Sequence, residues 1–311
     1  MNPNRVLPFG AIQKNIFRSF FALFFIPSLV ALAQQSDPLR TKYEEKIKSI
    51  VNSADAIIGV AVKNLSTGEE FLINGDEVFP QASSIKIHIL AELYRQAASG
   101  DLKLDEPVQL PARLKVGGSG VLSELGDGTV SMSLRDYAIL MIVLSDNTAT
   151  NLLIEKVGME NVNRFLRSHG ATQTKLQRVM MDTEAARVGR ENIGTPREVM
   201  MILEKLYRGE LVSTASSQEM ISILKKPKGG SLRSGVPPSV ELANKEGEID
   251  GVRCDVGIVY LPKSPYVICV MTKMLATPRD GPLIITEISQ ATYRYFERKA
   301  NSNRYGRRII D

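Results

Sequence analysis

The sequence predicts an α+β fold: an antiparallel five-stranded sheet with flanking terminal helices, interrupted by an inserted all-helical subdomain. Three observations predict it. Ile57–Asn64 and the stretch around Glu70–Ile73 are strand-like and flank the turn Ser66-Thr-Gly-Glu69, the pattern of a hairpin. Strand signals then vanish until Val240–Asn244, Val252–Tyr260 and Tyr266–Met274. Between the two groups, from Ser83 to about Lys226, apolar residues recur at helical spacing. Two early and three late strands separated in this way imply one sheet that the chain leaves and rejoins.

Taken in order, the first segment is a targeting signal. Arg5, Lys14 and Arg18 precede the apolar run Phe20–Ala33, which carries Pro27, ends in the small-x-small pattern Ala31-Leu-Ala33 and turns polar at once. That is the layout of a secretory signal peptide occupying residues 1–33, with cleavage near Ala33. An uncleaved anchor is the alternative reading. The mature chain, 34–311, is expected to be one domain in the periplasm or secreted, and no further long apolar run suggests a membrane role after cleavage. Residues 34–82 and 227–311 would form an α/β lobe and 83–226 a helical lobe.

Within that domain, residues 37–52 read as a helix with Asp37 as cap and Pro38 in its first turn. Ser84–Ala98 is a long apolar-faced helix ending near Gly100, Leu134–Leu144 follows the cap pair Ser133 and Asp136, and Thr148–Val157 stops before Gly158. Further helices fit Glu160–Ser168, residues 196–208 behind Thr195, and the closing stretch Leu283–Lys299.

Composition narrows the function. With 43% hydrophobic and 23% charged residues the chain is globular. Its net charge of +5 owes three charges to the signal segment. The tail carries a further +4, since Arg294, Arg298, Lys299, Arg304, Arg307 and Arg308 face only Glu297 and Asp311. The body between is slightly acidic, which argues against a nucleic-acid partner. Two Cys and two His, with no C-x-x-C or H-E-x-x-H, give no basis for a metal, and no cofactor is expected. A monomer is expected.

The search for an activated nucleophile ends at lysine rather than histidine. No G-x-S-x-G elbow exists, His169 sits at a helix C-terminus where it reads as a cap, and His88 has no visible partner. Ser83-Ser-Ile-Lys86 instead places a serine and a lysine three apart on one helical face, with the serine toward the N-terminal end. There a lysine buried enough to lose its proton can act as base. Ser145-Asp-Asn147 follows at a helix end, and Lys245-Glu-Gly247 follows on a strand.

These three motifs, in this order and spacing and with Gly120-Val-Leu122, Ser133-Leu-Arg-Asp136 and Leu232-Arg-Ser234 around them, resemble those of class A β-lactamases and related penicillin-binding serine hydrolases. The resemblance covers nearly all of the mature chain. It implies that Ser83 forms an acyl-enzyme, with Lys86 as base or relay and Ser145 returning a proton to the leaving nitrogen near Lys245. It also implies that Asn147 holds the acyl side chain, that Asp146 braces its loop, and that the N–H groups of Ser83 and Glu248, the residue after Gly247, form an oxyanion hole. Arg253 reads equally as a cation for a substrate carboxylate and as a surface charge. The substrate implied is a β-lactam or a peptidoglycan stem peptide.

Two positions depart from the family pattern. Aligned on Thr174 and Leu176, the deacylating glutamate is replaced by Met180, and Glu184 follows four residues later. If the segment is helical, Glu184 lies one turn away on the same face and takes over as base for the hydrolytic water. Its alternative is a loop carboxylate paired with Arg178, Arg187 or Arg190. The second departure is Glu246, where Thr or Ser is usual. An ionised carboxylate cannot donate to a substrate carboxylate, and two such charges ~4 Å apart repel by about 4 kcal/mol at an effective dielectric of 20. Three readings follow. The first is an exported β-lactamase-type serine hydrolase, the second a D,D-peptidase or penicillin-binding protein with slow deacylation, and the third a low-turnover binding or sensor domain. Cys254 and Cys269 are expected to be out of register by about three residues, on opposite faces and unbridged.

Overall fold

The structure is a computed structural model that describes residues 37–309. The signal-peptide reading, residues 1–33 with cleavage near Ala33, lies outside the described residues.

Asp37 caps α1 (Pro38–Ser53) by accepting from the N–H groups of Leu39 and Arg40. The hairpin follows as β1 (Ile57–Asn64) and β2 (Glu70–Ile73), with Asn64 Oδ1 accepting from Ser66 and Thr67 in the turn. A short β3 (Phe79–Pro80) leads to a 3-10 turn, Ala82–Ile85, and then α2 (Lys86–Ser99), which stops at Gly100 in the left-handed conformation. The expected helix Ser84–Ala98 is thus tighter in its first turn. Next, β4 (Pro107–Gln109) pairs with β5 (Ser131–Ser133), a ribbon the sequence reading missed because its strands are three residues long. Helices α3 (Leu134–Val143), α4 (Asn147–Val157), α5 (Met159–Ser168) and a single short turn α6 (Thr183–Arg187) complete the next part.

After β6 (Ile193–Gly194), which pairs with β3, come α7 (Pro196–Arg208), α8 (Thr214–Lys225) and the one-turn α9 (Ser231–Ser234). The late strands are β7 (Leu242–Ile249), β8 (Val252–Val259) and β9 (Tyr266–Lys273), and α10 (Asp280–Ala300) closes the chain. The first late strand runs five residues further than its apolar segment suggested. Its polar end is held by pairing with β8, in a register that sets Gly247 opposite Cys254.

All five main strands are antiparallel in the order β2-β1-β9-β8-β7, so β7, last in the row, lies at an edge. Each face of this sheet carries its own core. Ala61, Cys254, Val256, Val267 and Cys269 pack against the inserted helices, while Ile58, Val60, Tyr266, Ile268 and Val270 pack against α1 and α10. Gly59 is forced by the first of these contacts, since a Cβ there would lie 2.5 Å from the Phe79 ring and 2.6 Å from Pro196. On the second face α1 and α10 run antiparallel, with Tyr43 stacked on Tyr295 at 4.5 Å and Asp37 ion-paired with Lys299 at 3.2 Å.

The cysteines require a correction. The β8–β9 register pairs Cys254 with Met271 and Val256 with Cys269, one step from the expected register. One step reverses the parity, so both thiols point into the same core rather than to opposite faces. Both are free and buried.

Candidate active site

Ser83 lies in the 3-10 turn that precedes α2, and the residue before it, Ala82, is buried with φ +45°, a left-handed conformation costly for any residue with a Cβ. The turn is pressed against the edge strand. A Cβ on Gly247 would sit 2.5 Å from the Gln81 carbonyl oxygen and 2.9 Å from the amide nitrogens of Ser83 and Ser84, so only glycine lets β7 pass this close. The side chain of Gln81 secures the turn from beneath. Its Nε2 donates to the Ile193 carbonyl at 3.0 Å, its Oε1 contacts His88 Nε2 at 3.2 Å, and its N–H donates to Asn192. Sequence reasoning passed over Gln81 because nothing in its neighbours marks it.

Lys86, one turn beyond Ser83, is fully buried. Its Nζ donates to the Ser145 carbonyl at 2.7 Å, to Ser145 Oγ at 3.1 Å and to Asn147 Oδ1 at 3.0 Å. Burial, reinforced by the positive charge of Lys245, holds its pKa well below the usual lysine value, while Asp146 opposes this. Ser145 has φ +53°. Asp146 behind it is buried, caps α4 through Ala149 N–H at 2.8 Å, and accepts from Val121 and Leu122 N–H at 2.7 and 3.0 Å. That bonding makes it a brace between loop and helix. Asn147 Nδ2 donates to the Gly117 carbonyl at 3.1 Å, which fixes the amide against the same loop.

Lys245 is buried on β7, with its Nζ donating to the Glu246 carbonyl at 2.9 Å and its pKa lowered by burial to about 8. Nearby, burial raises Asp255 to about 6, although Asn244 and the Leu232 N–H each donate to it at 2.9 Å. Lys228 is brought down to about 8, chiefly by burial and then by Lys245. Glu246 is half-buried beside this group, and its side chain forms neither an ion pair nor a hydrogen bond among the described residues. Arg253 is engaged by the carboxylate of Glu248, across the β7–β8 pair. A substrate carboxylate would have to compete with Glu248 for it.

A cavity of about 510 Å³ opens beside the serine, lined by Ser83, Asn147, Met180, Asp182, Glu248 and Ile249 among others. The structure brings Ser83, Lys86, Ser145, Asn147 and the β7 strand with Lys245 and Gly247 to one end of α2. It does not bring Glu184. Met181 has φ +63° and the helical turn starts only at Thr183, capped by Asp182. The helix assumed to span residues 180–184 is therefore absent, and the same-face argument fails with it. Thr183 and Ala186 line the cavity, whereas Glu184 is 72% exposed and forms a 2.7 Å ion pair with Arg187. That pairing lowers its pKa.

Met180 occupies the cavity wall instead, with its N–H and carbonyl bound by Asn151. The loop around it is closed by an Arg178–Glu191 ion pair at 2.8 Å. Asn192 accepts from the N–H groups of Gln177 and Arg178 and donates to the Arg178 carbonyl. Asn151 and Asn192 were not singled out from sequence. His88 is buried with a pKa lowered to about 4, and His169 caps α5 through the Phe165 carbonyl. Among the described residues no group of three or more His, Cys, Asp or Glu side chains could hold a metal ion.

The family description "Beta-lactamase enzyme family" matches residues 42–296. Among curated proteins, an imipenem-hydrolyzing β-lactamase of Enterobacter cloacae is 28% identical over 270 residues, 84% of this chain and 91% of that protein. The Pseudomonas aeruginosa β-lactamase PSE-4 is 28% identical over 232 residues, 73% of this chain and 80% of that one. Among solved structures, a β-lactamase from Sphaerobacter thermophilus superimposes with TM-score 0.75 at 31% identity, covering 81% of this chain and 97% of that one. PBP-A superimposes with TM-score 0.77 at 27% identity, covering 83% and 96%. A mutant of PBP-A, solved as an acyl-enzyme with penicillin G, superimposes equally broadly, with TM-score 0.76. With the family description spanning the whole sheet and its helical insertion, this chain belongs to the β-lactamase enzyme family.

Proposed function

We propose that the protein is an exported serine hydrolase that opens β-lactam amides through a Ser83 acyl-enzyme, with deacylation as its slow step. The observation that carries this reading is the buried Lys86, whose depressed pKa favours the neutral amine one turn from Ser83. Once it has lost a proton, and with it one of its three donated bonds, neutral Lys86 accepts the Ser83 hydroxyl proton, directly or through a water. The alkoxide attacks the lactam carbonyl and the ring C–N bond breaks. Ser145, bonded to Lys86, delivers a proton to the leaving nitrogen and regains one from the lysine. The Ser83 and Glu248 N–H groups stabilise the oxyanion.

Deacylation requires a base for water. Asp182 spends one oxygen capping α6, Glu191 is held by Arg178, and Glu184 faces solvent, so the Met180 wall offers the ester no free buried carboxylate. A second reading is favoured by that same wall: a penicillin-binding D,D-peptidase that releases its acyl group slowly. Intact-protein mass spectrometry after mixing with nitrocefin or penicillin G tests both. A covalent adduct that forms on Ser83, is lost in Ser83→Ala and accumulates during slow turnover supports the proposal. An adduct with no turnover, together with release of D-alanine from a D-Ala-D-Ala peptide, supports the second reading. Absence of any adduct rejects both. Export is tested by fractionation, which should yield a mature chain beginning near Gln34 outside the cytoplasm.

A further inference from the structure

On the sheet face away from Ser83, α1 and α10 enclose a groove of about 430 Å³, floored by Tyr43 and Tyr295. Lys42 and Lys46 line it from α1, and Arg294 and Arg298 from α10. Each pair is spaced i,i+4, so the two cations stand about 6 Å apart along their helix, and the helices run side by side. All four side chains are exposed, and none has an ion pair or hydrogen bond among the described residues. Several cations elsewhere on the surface are matched, Arg40 with Glu44, Arg113 with Glu155, Arg135 with Asp105 and Arg197 with Asp76, whereas scattered ones such as Arg164 and Lys205 have no ion pair among the described residues. What sets the groove apart is that four cations line one cleft. In the groove, one carboxylate, Glu287, accompanies four cations.

Like charges in i,i+4 pairs disfavour their helices, so the arrangement gains nothing for folding and leaves four cations facing one cleft. The positive surface continues beyond α10. There the turn formed by residues 301–309 folds back, with the Ile309 N–H donating to the Asn301 carbonyl, and carries Arg304, Arg307 and Arg308. Two apolar side chains stand out among them, Tyr305 at 78% and Ile309 at 51% exposure. Cations interleaved with an exposed aromatic and an exposed aliphatic residue match the headgroup layer of a bilayer, where charge meets phosphate and apolar atoms enter the acyl boundary. Nucleic acid would give Ile309 no comparable partner.

We propose that the α1–α10 groove and the 301–309 turn form a peripheral docking surface for an anionic phospholipid bilayer, with lipid phosphate seated between Lys42, Lys46, Arg294 and Arg298. Docked by this face, the enzyme keeps the Ser83 cavity, on the other side of the sheet, open to solutes.

The test is vesicle co-sedimentation of the full chain with phosphatidylcholine vesicles containing none or one third phosphatidylglycerol. Any partitioning of the apolar segment 20–33 is common to all variants, and the groove is read from the dependence on phosphatidylglycerol. The expected result is phosphatidylglycerol-dependent binding that weakens as salt rises. It falls tenfold or more in Lys42→Gln/Lys46→Gln/Arg294→Gln/Arg298→Gln, and by an intermediate factor in either helix's pair alone. Cooperative thermal unfolding and unchanged Ser83 acylation report that each variant is folded. The control Arg164→Gln/Lys175→Gln/Arg190→Gln/Lys205→Gln, which removes the same charge elsewhere, should bind within twofold of wild type. Equal loss in that control, or no loss in the groove variant, overturns the proposal. So does groove-dependent binding of glycerol phosphate or duplex DNA without phosphatidylglycerol-dependent vesicle binding, since the ligand would then be a soluble phosphate or a nucleic acid.

Discussion

Asn151 holds Met180 by both of its backbone polar groups, accepting from its N–H at 2.7 Å and donating to its carbonyl at 3.1 Å. The main chain at this position is therefore held at the cavity wall whatever side chain it carries. Met180→Glu should place a carboxylate there and speed hydrolysis of the Ser83 ester by at least tenfold, the lower range of what a positioned base contributes. Pre-steady-state measurement of ester loss after a penicillin pulse checks it, and an unchanged rate would show that the wall does not face the ester.

Glu184 should be dispensable. Its carboxylate is bound to Arg187 in solvent, so Glu184→Gln should change neither acylation nor deacylation by more than twofold. A large loss of turnover in a folded Glu184→Gln protein would return this residue to the mechanism.

The pH profile of acylation should have an alkaline limb belonging to Lys245. Its pKa of about 8 means the ammonium, which attracts an anionic substrate, is present below that pH and lost above it. The second-order acylation rate with penicillin G should fall toward pH 10, while for an uncharged acylating ester the same limb should be absent. On the acid side the rate should drop as Lys86 takes up a proton and ceases to accept one from Ser83, and Lys86→Arg should abolish acylation at every pH.

Gly247→Ala should separate the nucleophile turn from the sheet. The added carbon would meet three backbone atoms of residues 81–84, none of which can rotate away. Overpacking of this kind costs about 1–3 kcal/mol and here also displaces the Ser83 amide, so acylation should fall at least a hundredfold. Thermal melts and nitrocefin burst amplitudes report the two effects separately.

Much of this was legible in the linear sequence, for physical reasons that differ by element. The helices announced themselves through caps such as Asp37 and Thr195 and stops such as Gly100, because these residues satisfy the free groups at helix ends. Ser83, Lys86, Ser145, Asn147 and Lys245, picked out by the order and spacing of their motifs, come together at one end of α2, because each motif sits at a helix start or on the edge strand that faces it. What failed was conformation that no residue type dictates. Nothing in Met181 signals φ +63°, yet that one torsion removes Glu184 from the site. The parity of the β8–β9 hairpin depended on one residue of loop length, and a single step carried Cys254 and Cys269 to one face.

The Asp37–Lys299 ion pair sets the start of the first helix beside the end of the last. The folded unit is thus nearly a closed loop of chain, whose covalent order is separable from its architecture. A short linker joining these ends, with new termini opened in the exposed Gly126–Asp127 turn, would leave both cores and the Ser83 turn intact while exchanging which lobe is synthesised first.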